Sequence, residues 1–180
     1  MMLGSLDARA QDRGAIMSAI CSGDFAAQRD ALGALAGAGA AGGADAAVWA
    51  KAIVDAFDGR ALRCSEGAGY IAAGDTPLDA LTLDAAPGID AEGLEAPSVN
   101  LRLRATAASA NAVLTLWTAD AATERLRAAQ YIDRRREAVT VPTLTAALAT
   151  ETDAAVRTAL ETLRTGLLLG DPDPDTRITA

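Results

Sequence analysis

Apolar residues recur along this chain at helical spacing in two blocks, separated by a stretch where that spacing disappears. Over 45–58, Trp49, Ile53, Ala56 and Phe57 fall at i, i+4, i+7 and i+8, which predicts a helix with one buried stripe. Upstream, Ile16, Ala19 and Ile20 predict a helix over 6–20. Cys21-Ser22-Gly23 breaks it, and 24–37 restarts helically with Phe25, Leu32 and Leu35. The run AGAGAAGGA at 36–44 predicts a glycine-rich loop, because glycine weakens any helix there. Downstream, 99–117 aligns Leu101, Ala105, Ala108, Ala112 and Leu116, and 121–134 turns Ala122, Leu126 and Ala129 inward. Pro142 suits the first turn of a further helix with Val141, Leu144 and Leu148. Residues 154–168 carry the cleanest stripe: Val156, Ala159, Leu160, Leu163 and Leu167.

Between the blocks, 61–75 loses the period. Two short apolar runs flank Gly67-Ala68-Gly69, which predicts a hairpin turn, and Thr76-Pro77 ends the unit. Leu78, Leu81 and Leu83 suggest a short added strand or turn, and 84–97, with Pro87-Gly88 and Gly93, reads as an irregular connection. The stretch 59–97 is thus a β insertion between a helical block at 6–58 and a second at 98–180. A two-stranded ribbon is marginal alone, so it should lie on the helices.

The second block contains a returning Asp–Arg pattern. Residues 120–129 read DAATERLRAA, 153–160 read DAAVRTAL, and 173–178 begin again as DPDTRI. Asp120 and Asp153 are 33 positions apart (153 − 120), a helix-pair period that points to stacked repeats. A looser copy, GDFAAQRDALGAL, places Asp24 before Arg29. Each Asp is expected to cap a helix start, and each Arg, as at Arg125 and Arg157, to reach an acidic or backbone group of a neighbouring repeat. The expected fold is mainly α, a HEAT-like α-solenoid with a small β-hairpin insertion, in one domain over 1–180. The tail GDPDPDTRITA looks like a repeat that starts and stops.

Composition fits thin helical packing. The chain of 180 residues is 51% hydrophobic but only 3% aromatic, so alanine supplies much of the apolar surface and lets helices approach closely. Core filling is the expectation for Phe25, Trp49, Phe57, Tyr70, Trp117 and Tyr131. The net charge of −8 speaks against nucleic acid, which needs a basic footprint. Arg134-Arg135-Arg136, after Arg125 and Arg127, reads as a solvated helix end. No stretch has the length of a transmembrane helix, and MMLGSLDARAQD has no apolar signal core.

Candidate chemistry is sparse. Histidine is absent, which removes the usual triads and the commonest metal ligand. Cys21 and Cys64 fit no zinc spacing; one disulfide or two buried thiols are both open, and a thiol nucleophile at Cys64 would need Arg63 or Lys51 beside it. Asp171, Asp173 and Asp175 alternate in DPDPD but lack the glycine and closing glutamate of a calcium loop. GAGAAGG at 37–43 has no preceding strand and no Gly-Lys-Ser/Thr, so it is no phosphate loop. Glu92 and Glu95 sit in a loop with nothing to assign them acid–base work. No cofactor and no metal are expected.

Four segments in order, GDF at 23–25, DGRALR at 58–63, VNLRLR at 99–104 and ETDAAVRTAL at 151–160, carry a family likeness. Their order resembles the extracytoplasmic N-terminal region of the permease subunit of urea ABC transporters, over nearly the whole chain. Leu101 stands where that pattern has a second Asn. The resemblance implies HEAT-like repeats, a periplasmic location on the outer face of the inner membrane, and a non-enzymatic role. The domain would contact the solute-binding protein or transporter subunits, and would meet the membrane only through a permease part that this chain does not contain. A stand-alone HEAT-repeat scaffold, cytoplasmic or not, is the alternative. A HEAT-like lyase or nucleic-acid enzyme is disfavoured by the acidic balance and the missing histidine. Partner contact is expected on the β insertion, with Tyr70 and Ile71 as an apolar anchor and Arg60 and Arg63 near its base.

Overall fold

A computed structural model describes residues 4–72 and 74–170, with side chains from Asp12 onward. The chain is mainly helical, with seven α-helices among the described residues and one small antiparallel sheet. The helices are α1 (Gly4–Ile20), α2 (Phe25–Ala36), α3 (Ala38–Asp58), α4 (Leu101–Thr118), α5 (Ala122–Asp133), α6 (Val141–Thr150) and α7 (Ala154–Leu169). The strands β1 (Leu62–Ser65), β2 (Ala68–Ile71) and β3 (Leu78–Asp79) lie between α3 and α4. No single described helix is long and apolar enough to cross a membrane.

These elements form two compact units. The first takes the described residues up to Ala34 together with Ala52–Ala108; the second takes Leu35–Lys51 and the described residues from Ser109 on. In the first, Met17, Ile20, Leu32, Ile53, Phe57, Leu62 and Leu103 are fully buried. In the second, Leu114, Ile132, Leu144 and Leu160 are. Here α7 packs on both α5 and α6 through its Val156–Leu163 stripe.

Helix starts follow the capping rules where a short polar side chain directly precedes the first turn. Asp24 accepts from the Ala27 N–H at 2.8 Å, Asn100 from Leu103 at 2.9 Å, and Asp153 from Ala155 and Val156. Thr140 caps α6, with Pro142 in its first turn. Asp120, in contrast, is no cap: α5 starts one residue later, Ala121 occupies the capping position, and no side chain fills it.

A second device recurs at three helix junctions. The fourth residue of the later helix donates to carbonyls near the end of the earlier one. Gln28 Nε2 reaches Ile20 O at 2.9 Å; Arg125 Nη1 reaches Ala119 O and Asp120 O at 2.9 and 2.8 Å; Arg157 Nη1 reaches Leu148 O and Glu151 O at 2.8 and 3.0 Å. Each donor satisfies carbonyls that a helix end leaves without internal partners. In the α2 copy Arg29 does not do this; it lies exposed and pairs with Asp30.

The sheet order is β1-β2-β3, with Arg63 opposite Tyr70 and Ile71 opposite Leu78. The turn sits at Glu66-Gly67, one residue before the predicted Gly67-Ala68-Gly69. Both have positive φ, 48° and 84°, the conformation that a two-residue hairpin requires and that glycine adopts without strain. Gly69 then lies within β2, where Met17 occupies the space a Cβ would need, so β2 sits closely on α1. The far edge of β1 is covered by the returning chain, through Cys64 N–H to Glu95 O at 2.8 Å.

Other expectations need correction. The 36–44 segment is mostly helical rather than a loop: α2 runs to Ala36, α3 resumes at Ala38 after a turn at Gly37, and Gly43 (φ 71°, ψ −161°) kinks α3. The α4 stripe is Leu103, Ala107, Ala110 and Leu114, with Leu116 at its end, and Leu101 is 85% exposed. Phe25 is 51% exposed, and Tyr70, Trp117 and Tyr131 are half-buried, so Trp49 and Phe57 alone of the six aromatics fill core. The tail with Asp171, Asp173 and Asp175 lies outside the described residues.

Cys21 and Cys64 form a disulfide that joins the end of α1 to β1, with their Cα atoms 5.5 Å apart. It closes a loop of sequence separation 43, for which chain entropy gives roughly 4 kcal/mol. Replacing both cysteines by serine should lower unfolding stability by about that amount in a denaturant melt. Leu160→Ala should cost roughly 2–5 kcal/mol in the same measurement, since the side chain is fully buried between α7 and its neighbours.

Candidate functional site

The four residues expected to meet a partner do not form a surface patch. Ile71 is 7% exposed and belongs to the sheet's covered face, so it is no exposed anchor. Tyr70 is half-buried on the opposite face. Arg63 donates to Arg60 O at 2.7 Å and Leu62 O at 3.0 Å, and so braces its own strand. Arg60 is exposed, and its backbone takes the left-handed position that ends α3. Arg60 N–H bonds Phe57 O and Ala61 N–H bonds Ala56 O, the two bonds of a Schellman ending. The insertion is also tied inward by the disulfide and by Arg13 Nη1 to Leu81 O at 3.0 Å. It is part of the first unit's core, not an appendage.

An open hollow of the first unit instead lies between the starts of α2 and α4. Its volume is about 850 Å³, and it is bordered by Phe25 and Arg29 on one side and Val99–Arg104 on the other. Phe25 and Leu101 are two of the four large apolar side chains that stand exposed among the described residues. Periodicity places both in the core, yet both turn outward here. Arg102 and Arg104 leave α4 on either side of the buried Leu103, and neither guanidinium makes a hydrogen bond or ion pair among the described residues.

The second unit has a cavity of about 420 Å³ beside Trp117, whose ring rests on Gly39. Its polar edge is a clasp between Arg125 and Glu151. Arg125 Nε meets Oε2 at 2.7 Å and Nη2 meets Oε1 at 2.9 Å. The side chains are 15% and 4% exposed. Glu151 also accepts from the Thr152 and Asp153 N–H groups at 2.9 and 2.8 Å. The Arg125 hydrogen bonds hold the Glu151 carboxyl below the ordinary glutamate range against the opposing effect of burial, and the same bonds raise Arg125. Three of these four donors fall on Oε1 and one on Oε2, so the carboxylate is committed to Arg125 and to the start of α7. Asp120 lends Arg125 a backbone carbonyl; Asp153 is the cap of α7; Arg157 adds a long contact of 3.5 Å to Glu161.

Elsewhere the inventory is structural. Both thiols are consumed by the disulfide, which removes Cys64 as a nucleophile. No group of three or more His, Cys, Asp or Glu gathers to hold a metal among the described residues. In the arginine run, Arg136 pairs with Asp133 at 2.7 Å and Arg135 stacks on the Tyr131 ring at 4.4 Å. No protein-family model matches the chain, nor does any curated protein or solved structure.

The clasp makes a pH prediction. A carboxylate whose folded pKa is lowered contributes stability that is present above its unfolded pKa and lost as pH falls through the folded value. Glu151→Gln should therefore destabilise the protein at pH 7 by roughly 3 kcal/mol, the lower end for breaking a buried pair. The gap to the parent should narrow below about pH 4.3, where the unfolded glutamate begins to protonate, as read from urea melts across pH 7 to 3.

Proposed function

We propose that this chain is a non-enzymatic protein-interaction domain, a HEAT-like helical array that serves the permease of a urea-type ABC transporter on the extracytoplasmic side. The observation that carries the interaction reading is the open hollow at the starts of α2 and α4, where Phe25 and Leu101 stand exposed. Large apolar side chains gathered on one exposed feature mark contact surfaces more than isolated ones do. The repeat reading draws support from the donor used at three helix junctions, α1 to α2 by Gln28, α4 to α5 by Arg125 and α6 to α7 by Arg157. The assignment to the permease rests on the ordered segments GDF, DGRALR, VNLRLR and ETDAAVRTAL. The Cys21–Cys64 disulfide suits an oxidising compartment, in keeping with a periplasmic site.

Contact with a solute-binding protein of such a transporter should be weak and short-lived, because transport needs release. Binding of the purified chain to that protein, followed by interferometry, should exceed binding to an unrelated solute-binding protein. The Phe25→Ser/Leu101→Ser variant should lose it with an unchanged melting temperature. Equal signals from the two solute-binding proteins would reject the permease reading. Retained binding in the variant would move the contact elsewhere. Altering Ile71 is unsuited to the question, because its burial would confound binding with unfolding.

A further inference from the structure

We infer that the hollow between α2 and α4 receives an acidic segment of a partner protein, anchored by an apolar side chain of that segment. This rests on the interaction reading above and adds the chemistry of the occupant. The first observation is charge. Arg29, Arg102 and Arg104 border the hollow and no carboxylate does among the described residues, in a chain whose net charge is −8. Arg29 shares its charge with Asp30 at 2.8 Å, whereas Arg102 and Arg104 have no acidic partner among the described residues. Carboxylates outnumber cations in this chain, yet no described carboxylate compensates these two guanidiniums.

The second observation is where the apolar groups lie. Phe25 flanks the arginines from α2 and Leu101 from α4, the latter 85% exposed. Apolar contact would supply most of the affinity, while the arginines would select sign and orientation, since exposed ion pairs add little each. Guanidiniums also suit carboxylates by their planar two-donor geometry. Nucleic acid fits less well: a polyanion would meet the field of an acidic protein, and three arginines make a small footprint. A bilayer fits less well too, because a hollow does not carry its apolar groups past the headgroups. A small molecule would want enclosing walls rather than an open groove.

The test uses short fluorescein-labelled peptides followed by anisotropy: one alternating Glu and Asp with Leu and Phe, a counterpart with Lys and Arg for the acids, and one with Ser for the apolar residues. The acidic apolar peptide should bind saturably and lose affinity as salt rises. The basic and the Ser peptides should each bind about tenfold more weakly or worse, a difference of about 1.4 kcal/mol. Arg102→Glu/Arg104→Glu should weaken the acidic peptide by about tenfold or more, and Phe25→Ser/Leu101→Ser should do likewise, with melting temperatures unchanged. No saturable binding of the acidic peptide overturns the inference. Loss in the Phe25/Leu101 variant without loss in the charge variant overturns the acidic occupant and leaves the interaction reading standing. Loss in neither variant overturns both for this groove. Phosphatidylglycerol vesicles that sediment the protein only when Arg102 and Arg104 are intact, without peptide binding, would assign the groove to a lipid surface. Self-association abolished by Phe25→Ser/Leu101→Ser, without peptide binding, would assign it to a second copy.

Discussion

Alanine constrains everything else in this fold. An alanine side chain removes little apolar area from water, and the hydrophobic contribution scales with that area. Helices faced with Ala31, Ala47, Ala50, Ala107, Ala110, Ala128, Ala129 and Ala147 approach closely but gain little per contact. Each unit therefore depends on a tie of another kind. In the first it is covalent, the disulfide from α1 to β1. In the second it is ionic, the Arg125–Glu151 clasp, whose carboxylate is almost fully withdrawn from water. Such a pair is costly to bury, and the two-donor contact of Arg125 together with the Thr152 and Asp153 N–H groups offsets that cost.

The same economy explains the helix junctions. When few large side chains fix one helix against the next, the unsatisfied carbonyls at a helix end become useful attachment points. A donor on the fourth residue of the following helix lies one turn in, where its side chain points back towards the junction. Gln28 does this while wholly buried; Arg125 and Arg157 do it while also meeting Glu151 or Glu161. The recurring arginine in the sequence is thus tied to a backbone geometry first and to an acidic partner second.

That distinction decides what was legible beforehand. Helix positions were readable wherever large residues set the period: Trp49, Ile53 and Phe57 in α3, and Val156, Leu160 and Leu163 in α7, all buried as expected. Where alanine dominates, two stripes compete, and in α4 periodicity selected Leu101 while packing selected Leu103. The error at 36–44 has the same origin, since alanine sustains helix on both sides of the breaks at Gly37 and Gly43. The failed cap at Asp120 had a readable signal. Asp153 precedes Arg157 by four positions, but Asp120 precedes Arg125 by five, so with both arginines at the same helical position Asp120 falls one residue outside the cap. The disulfide could not be chosen over two free thiols, because the sequence does not state that Cys21 and Cys64 meet.

The groove was hidden for a related reason. Its parts, Phe25 on α2 and VNLRLR at the start of α4, are far apart in the chain and carry no motif with a chemical requirement of its own. Periodicity treats a leucine as core until competing positions are weighed, and it treats an arginine as solvated by default. Only the three-dimensional placement makes two outward apolar residues and two guanidiniums with no described acidic partner neighbours. A helix start displayed in this way costs the fold little, because Leu103 alone anchors that turn to the core while Leu101, Arg102 and Arg104 remain outside it. The fold thus fixes the first turn of α4 through one buried side chain and leaves three others free to vary with whatever meets them.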